Sequence, residues 1–211
     1  MGKKLELPKY CKSCFKEIKQ HSFKSFFQKD SCLCDKCYEK FELKIKRLKI
    51  DNCKGVVLYK YNDFFKEKLF MLKGCGDIEL SSIFLDKLKF FLHIIYKNFV
   101  IVPAPSYIDA DEKRGFVHLE EIFKVLNIPI QKVLMKNADV KQSDLNFKER
   151  ANIKNIIQLN EQSKLRGKKV LFVDDVFTSG STCKACLNLL KEEKPKKLNF
   201  LILSSKTIFK D

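Results

Sequence analysis

Apolar and polar positions fall along this chain in blocks of two periods. Val170–Val173 (VLFV) is a short continuous apolar run between Gly167-Lys168 and Asp174-Asp175. Rich in β-branched and aromatic residues, it predicts a strand buried on both faces. Gly55–Tyr61 (GVVLYKY), the FVIVP run from Phe99, Ile128–Met135 and Asn199–Ser205 (NFLILSS) predict further strands. Helical spacing runs through Asn62–Lys73, with Asn62 as cap and Gly74 as stop, through Ser81–Asn98, from the RGFVH segment to Leu126, and through Cys183–Lys191. Tyr38–Ile50, with Phe41, Leu43, Ile45, Leu48 and Ile50 set among lysines, predicts a short basic helix. Lys136–Ile153 is polar and predicts a loop with a short helix. Strands alternating with helices predict an α/β fold, a parallel sheet flanked by helices.

Chemistry concentrates at the end of the VLFV strand. Asp174 and Asp175 fall at its carboxyl end, where open α/β sheets bind ligands. Phe177-Thr178-Ser179-Gly180-Ser181-Thr182 then leads into a helix, and a loop of small residues at a helix start offers free backbone N–H groups to a phosphate. Two acids can hold sugar hydroxyls, or a divalent cation through water, while the adjoining loop holds a phosphate. A ribose 5-phosphate satisfies both halves. The competing reading makes the acids simple helix caps. Walker A and dinucleotide glycine patterns are absent, which excludes an NTPase or a Rossmann dehydrogenase.

Nine cysteines change the picture at the amino end. Cys11-x2-Cys14 and Cys34-x2-Cys37, about 20 residues apart, have the spacing of a four-cysteine zinc site that closes a small module lacking a core of its own. Cys32 is the alternative to Cys34. No histidine or acid accompanies the set, so the zinc is expected to be structural; His21 between the knuckles reads as a surface residue. The module is expected over residues 1–48, with its connecting helix, and the α/β domain over 49–211. With no apolar leader in Met1–Tyr10 and no apolar run of membrane length, the expectation is a cytoplasmic chain without a membrane span.

Charge adds a candidate partner. The net charge is +16, and Met1–Lys54 alone carries 15 basic against 7 acidic residues. Such a surface attracts polyanions. Phe23, Phe26 and Phe27 interleave with Lys24 and Lys29, a composition suited to single-stranded nucleic acid, although the same rings can serve as the module's own packing.

The VLFVDDVFTSGST stretch resembles the PRPP-binding (5-phosphoribosyl 1-diphosphate) signature of type I phosphoribosyltransferases. The cysteine knuckles, YKYNDFFKEKLFMLKG, VPAPS, RGF and KQSDLNFKERANI occur in the order of the ComF family, competence-associated phosphoribosyltransferase-like proteins. The resemblance covers Cys11 to about Ser205. It implies a type I phosphoribosyltransferase-like fold in which Asp174 and Asp175 hold the ribose hydroxyls and Mg²⁺-PRPP. Thr178, Ser179, Gly180, Ser181 and Thr182 would wrap the 5-phosphate, and the Val102–Ser106 loop, with Ala104 and Pro105, would face the pyrophosphate together with Arg114. Lys136–Asn152 would form a hood carrying Gln142 and Arg150. The family usually reads RGFNQ where this chain reads RGFVH, so Val117 and His118 replace an amide pair. Implied partners are PRPP, single-stranded DNA and proteins of the DNA-uptake machinery. A nucleobase salvage phosphoribosyltransferase and a non-catalytic PRPP sensor are the alternatives. The cysteine module argues against the first, and only turnover separates the second.

Overall fold

The computed structural model describes residues 9–18, 31–136, 157–160 and 164–209. A five-stranded sheet runs in the order β1-β2-β7-β6-β3: β1 Leu43–Ile50, β2 Cys53–Lys60, β3 Phe99–Pro103, β6 Lys169–Phe177 and β7 Lys197–Ser205. β2, β7, β6 and β3 are parallel, and β1 adds an antiparallel edge to β2. Helices α1 Asp35–Glu39, α2 Asp63–Gly74, α3 Lys89–Tyr96, α4 Ile108–Arg114, α5 His118–Lys124 and α6 Ser181–Glu192 occupy the connections. A two-stranded ribbon pairs β4 Leu134–Lys136 with β5 Ile157–Leu159. The four parallel strands form the α/β sheet that the alternation of periods predicts, and β1 makes it mixed. Val170–Val173 are fully buried at its centre, as a continuous apolar run requires.

Tyr38–Ile50 is not a helix. It supplies the short α1 and then β1, whose turn to β2 places Asp51 and Asn52 at φ 42° and 69°. Two positive-φ residues make the hairpin turn that matches strand twist, and Asp-Asn tolerates it. The pairing register shifts between Leu43 and Lys46. That irregularity breaks the strand's two-residue period into the 43, 45, 48, 50 spacing that imitates a helix. β1 therefore runs across the 48/49 boundary expected from sequence.

Ser81–Asn98 divides likewise, into a 3-10 segment Ile78–Phe84, a turn and α3. The turn presents Asp86, whose carboxylate accepts from Ser31 Oγ (2.5 Å) and from the amides of Cys32 and Leu33. A long-range contact to the cysteine module thus overrides local helical spacing. Ile128–Met135 is strand only from Leu134; Ile130 adds a lone bridge to Ile101. Segment 137–156, with Gln142, Arg150 and most of the expected hood, lies outside the described residues, as do His21, the three phenylalanines at 23, 26 and 27, Lys24 and Lys29.

Phe41 joins the module's exit to the sheet. It is fully buried, with ring centroids 5.1–6.0 Å from Phe64, Tyr59, Phe84 and Phe65. Phe41→Ala leaves a cavity among these rings and is expected to cost about 3–5 kcal/mol, measured by denaturant unfolding. A loss under about 1 kcal/mol would mean that the ring cluster is not a structural joint.

Candidate active site: a carboxylate and phosphate-loop cleft beside a four-cysteine cluster

Parallel strands bring their carboxyl ends to one edge of the sheet, and there β3, β6 and α6 enclose a cleft of about 360 Å³. The loop after β3 is tied to β6 by the Ala104 amide, which donates to the Val173 carbonyl at 2.8 Å. Ala104, Pro105, Arg114, Asp174, Asp175, Thr178, Gly180 and Thr182 all line this cleft. Ser179 and Ser181 are exposed, with their hydroxyls 2.9 Å apart.

Gly180 caps α6 at φ 79°, and a Cβ there would come within 2.5 Å of the Phe177 ring. Positive φ and this close ring together restrict the position to glycine. The helix start that follows leaves its first-turn amides without intrahelical acceptors, at the border of the cleft.

The two acids sit in unlike environments. Asp175 is buried, with Lys73 Nζ 2.6 Å and His118 Nε2 3.0 Å from its Oδ2. Burial alone would raise its pKa, but the His118 hydrogen bond and the Lys73 charge outweigh it and hold the carboxyl well below the usual range. Asp174 is half-buried and accepts the Asp175 amide at 2.9 Å. Desolvation, with the neighbouring Asp175 charge, pushes its pKa up to about 7. Burial also lowers the His118 pKa, against the opposing pull of Asp175. The neutral imidazole then donates through Nε2 to Asp175. Its Nδ1 is buried with no hydrogen-bond partner among the described residues.

Arg114, expected to face the pyrophosphate, lines the cleft and is also held by protein acceptors. Its side chain is 8% exposed; Nε donates to the Lys73 carbonyl at 3.0 Å, and Nη1 donates to Asp111 Oδ1 and the Phe116 carbonyl. It is a strut that fixes the end of α2 to α4, and so sets where Lys73 reaches Asp175. Lys136, at the end of β4, enters the same cleft with its Nζ 4.4 Å from the Tyr107 ring centroid. Burial lowers its pKa while Asp174 opposes the shift.

Sequence pattern alone does not mark Lys73, His118 or Lys136 as site residues. Lys73 carries only a helix-stop signal beside Gly74. His118 stands out as a departure from the family motif, but its partner Asp175 lies 57 residues away.

The Sγ atoms of Cys11, Cys14, Cys34 and Cys37 all lie within 4.8 Å of one another. The 3.8 Å between Cys14 and Cys34 matches the roughly 3.8 Å edge of a tetrahedron with metal–sulfur distances of about 2.3 Å. Cys32 stands apart, its sulfur 3.5 Å from Ser82 Oγ and its amide on Asp86, which decides the sequence alternative for Cys34. The donor set can hold a metal that prefers four thiolates. Besides Asp86, the ion pairs Lys12–Glu79 (2.8 Å) and Lys87–Asp35 (2.7 Å) dock the module against the 3-10 segment and the turn after it.

Residues 110–208 match the family model described as Phosphoribosyl transferase domain. The chain is 30% identical over 138 residues to Competence protein ComFC of Bacillus subtilis, covering 64% of this chain and 57% of that protein. It is 26% identical over 192 residues to Competence protein ComFC of Streptococcus pneumoniae, covering 79% of this chain and 84% of that one. The chain thus matches little more than half the length of the Bacillus relative. A hypoxanthine phosphoribosyltransferase from Staphylococcus aureus superposes with a TM-score of 0.42 at 16% identity, over 62% of this chain and 65% of that one. Among the described residues, no helix is long and apolar enough to cross a membrane.

Proposed function

From the premise that the chain is a ComF-family phosphoribosyltransferase-like protein, we propose that its cleft binds PRPP with Mg²⁺. We further propose that the protein binds single-stranded DNA and acts in the cytoplasm, with proteins of the DNA-uptake machinery, in natural transformation. The observation that carries the reading is one cleft holding Asp174 and Asp175, the Gly180-capped start of α6 and the loop after β3. In this role Asp174 accepts from ribose hydroxyls, and Thr178, Gly180, Thr182 and the first-turn amides of α6 hold the 5-phosphate. Ala104 and Pro105 border the pyrophosphate. Mg²⁺, when bound with PRPP, would neutralise pyrophosphate charge. The acids suit contact through water, because Asp175 is already paired with Lys73. Lys73 and Lys136 supply the cations nearest the acids, and Arg114 keeps Lys73 in place.

If the protein turns over, a 5-phosphoribosyl group passes to an acceptor and pyrophosphate leaves. The chain's share is then positioning and stabilising the leaving charge. One observation favours a second reading, a PRPP sensor: Arg114, the expected pyrophosphate cation, commits Nε and Nη1 to protein acceptors. Calorimetric titration with Mg²⁺-PRPP, then a pyrophosphate-release assay with nucleobases and DNA as acceptors, separates the two. Saturable binding without release selects the sensor, and no binding rejects both.

For DNA, the test uses the full chain. Cys11, Leu33 and Cys37 are buried in the common core, so deleting the module would expose that core. Affinity for a labelled oligothymidine is expected to fall by about tenfold or more between roughly 50 and 200 mM salt, as lysine contacts release counterions. A flat response rejects the electrostatic contact.

A further inference from the structure

A second groove, of about 780 Å³, opens along α2 and meets the carboxylate cleft at Lys73 and Arg114. We propose that this groove is the track along which single-stranded nucleic acid lies, with a base stacked on Phe70. The proposal rests on the DNA-binding reading above and adds the surface that performs it.

Phe70 is 65% exposed and lines this groove. It is nevertheless braced. One turn on, a Cβ at Gly74 would come within 2.9 Å of the ring, so the missing side chain lets the phenyl lie against the helix. A braced, solvent-facing ring in a groove is a stacking platform. Tyr61 lines the same groove, with Lys206 Nζ 4.9 Å from its ring centroid.

The cations suit a phosphate backbone. Lys66 lines the groove and Lys206 stands beside it over Tyr61, while Lys73, at the groove's end, is already paired with Asp175 at 2.6 Å. The groove's acids are Asp63, in the first turn of α2, and Glu67, whose carboxylate is paired with Lys68 at 2.8 Å. Rings interleaved with lysines bind any base sequence, because every base has a π face and every nucleotide a phosphate. A strand on this track would carry its bases past the end of α2, beside the site proposed for PRPP.

The test is fluorescence anisotropy of a labelled oligothymidine with the full-length, metal-loaded protein, as wild type and as Phe70→Ala, Phe70→Trp and Lys66→Ala. Phe70→Ala is expected to weaken binding about tenfold with an unchanged salt slope, because a stack releases no counterions. Phe70→Trp should retain affinity. Lys66→Ala should reduce the slope of log affinity against log salt by about 1. Melting temperature, metal content and the PRPP-induced thermal shift should be the same in Phe70→Ala as in wild type, since Phe70 is exposed and lies outside the carboxylate cleft. Wild-type affinity in Phe70→Ala, beside a wild type that binds, overturns this assignment and leaves the DNA reading standing. A wild type that does not bind the oligonucleotide overturns both.

Discussion

Replacing Asp174 and Asp175 together with Asn is expected to abolish the rise in melting temperature that the proposed Mg²⁺-PRPP binding would give the wild type. At a ligand concentration about 100 times its Kd, binding is worth about 2.7 kcal/mol. For a chain of this size that is a shift of roughly 5–10 °C. Without ligand the single variants should move in opposite directions. The folded-state pKa of Asp174 is raised from 3.8 to about 7, so the folded chain keeps this proton where the unfolded chain has lost it. Its stabilising contribution is complete below about pH 4 and is lost as pH climbs towards 7. Asp174→Asn removes that dependence and should melt at or above the wild-type temperature at about pH 8. Asp175 has a lowered pKa, so its contribution is present above about pH 4 and lost on acidification. Asp175→Asn leaves Lys73 and His118 a neutral amide oxygen in place of their shared charged acceptor and should cost about 1–3 kcal/mol near neutral pH. Were the acids merely helix caps, both singles would destabilise alike and no PRPP-dependent shift would exist to lose. Differential scanning fluorimetry across roughly pH 4–8, with and without Mg²⁺-PRPP, reads all of these outcomes.

Cys34→Ser is expected to take the protein from one bound zinc to none and to loosen its amino-terminal module. Among the described residues the cluster is four thiolates with no histidine or acid, a closed donor set that suits zinc as a structural ion. With metal held about 1,000-fold above its Kd, the site is worth about 4 kcal/mol, or roughly 8–16 °C of melting temperature. The loss should spread beyond the module, because Cys11 and Cys37 pack in the same core as Phe41, Phe65 and Phe84. Cys32→Ser is the control: its sulfur faces Ser82, so metal content should stay at one equivalent. Metal analysis of the two variants, grown with zinc, gives the answer. A Cys34→Ser protein that still carries a full equivalent would reject this ligand set.

Features carried by contiguous residues are legible in the amino-acid sequence itself. The VLFV run is a buried strand because no face of it is polar. Asn62 caps α2 by accepting the Phe65 amide, as its residue type and position suggest. The acids, the glycine-containing loop and the start of α6 follow one another directly in the chain, so strand, site and helix read as a unit. C-x2-C spacing likewise announces a thiolate cluster, because each knuckle is local.

Only the tertiary structure decided what depends on residues far apart in sequence. β1 reads as a helix until its pairing with β2 reveals the register shift. The turn at Asp86 exists because the carboxylate serves amides of the cysteine module 53 and 54 residues away, and no local periodicity encodes that demand. Cys32 and Cys34 are the same residue type two positions apart; spacing favours Cys34, and only the fold shows Cys32 turned away to Ser82 and Asp86. At the site, two adjacent aspartates look like equals in the sequence. Folding makes them opposites by bringing Lys73 from α2 and His118 from α5 onto Asp175 while leaving Asp174 desolvated. The acids and the phosphate loop of this site were determined by local sequence. Their charges were decided by desolvation and long-range partners, which exist only once the sheet has assembled the chain's distant parts at one edge.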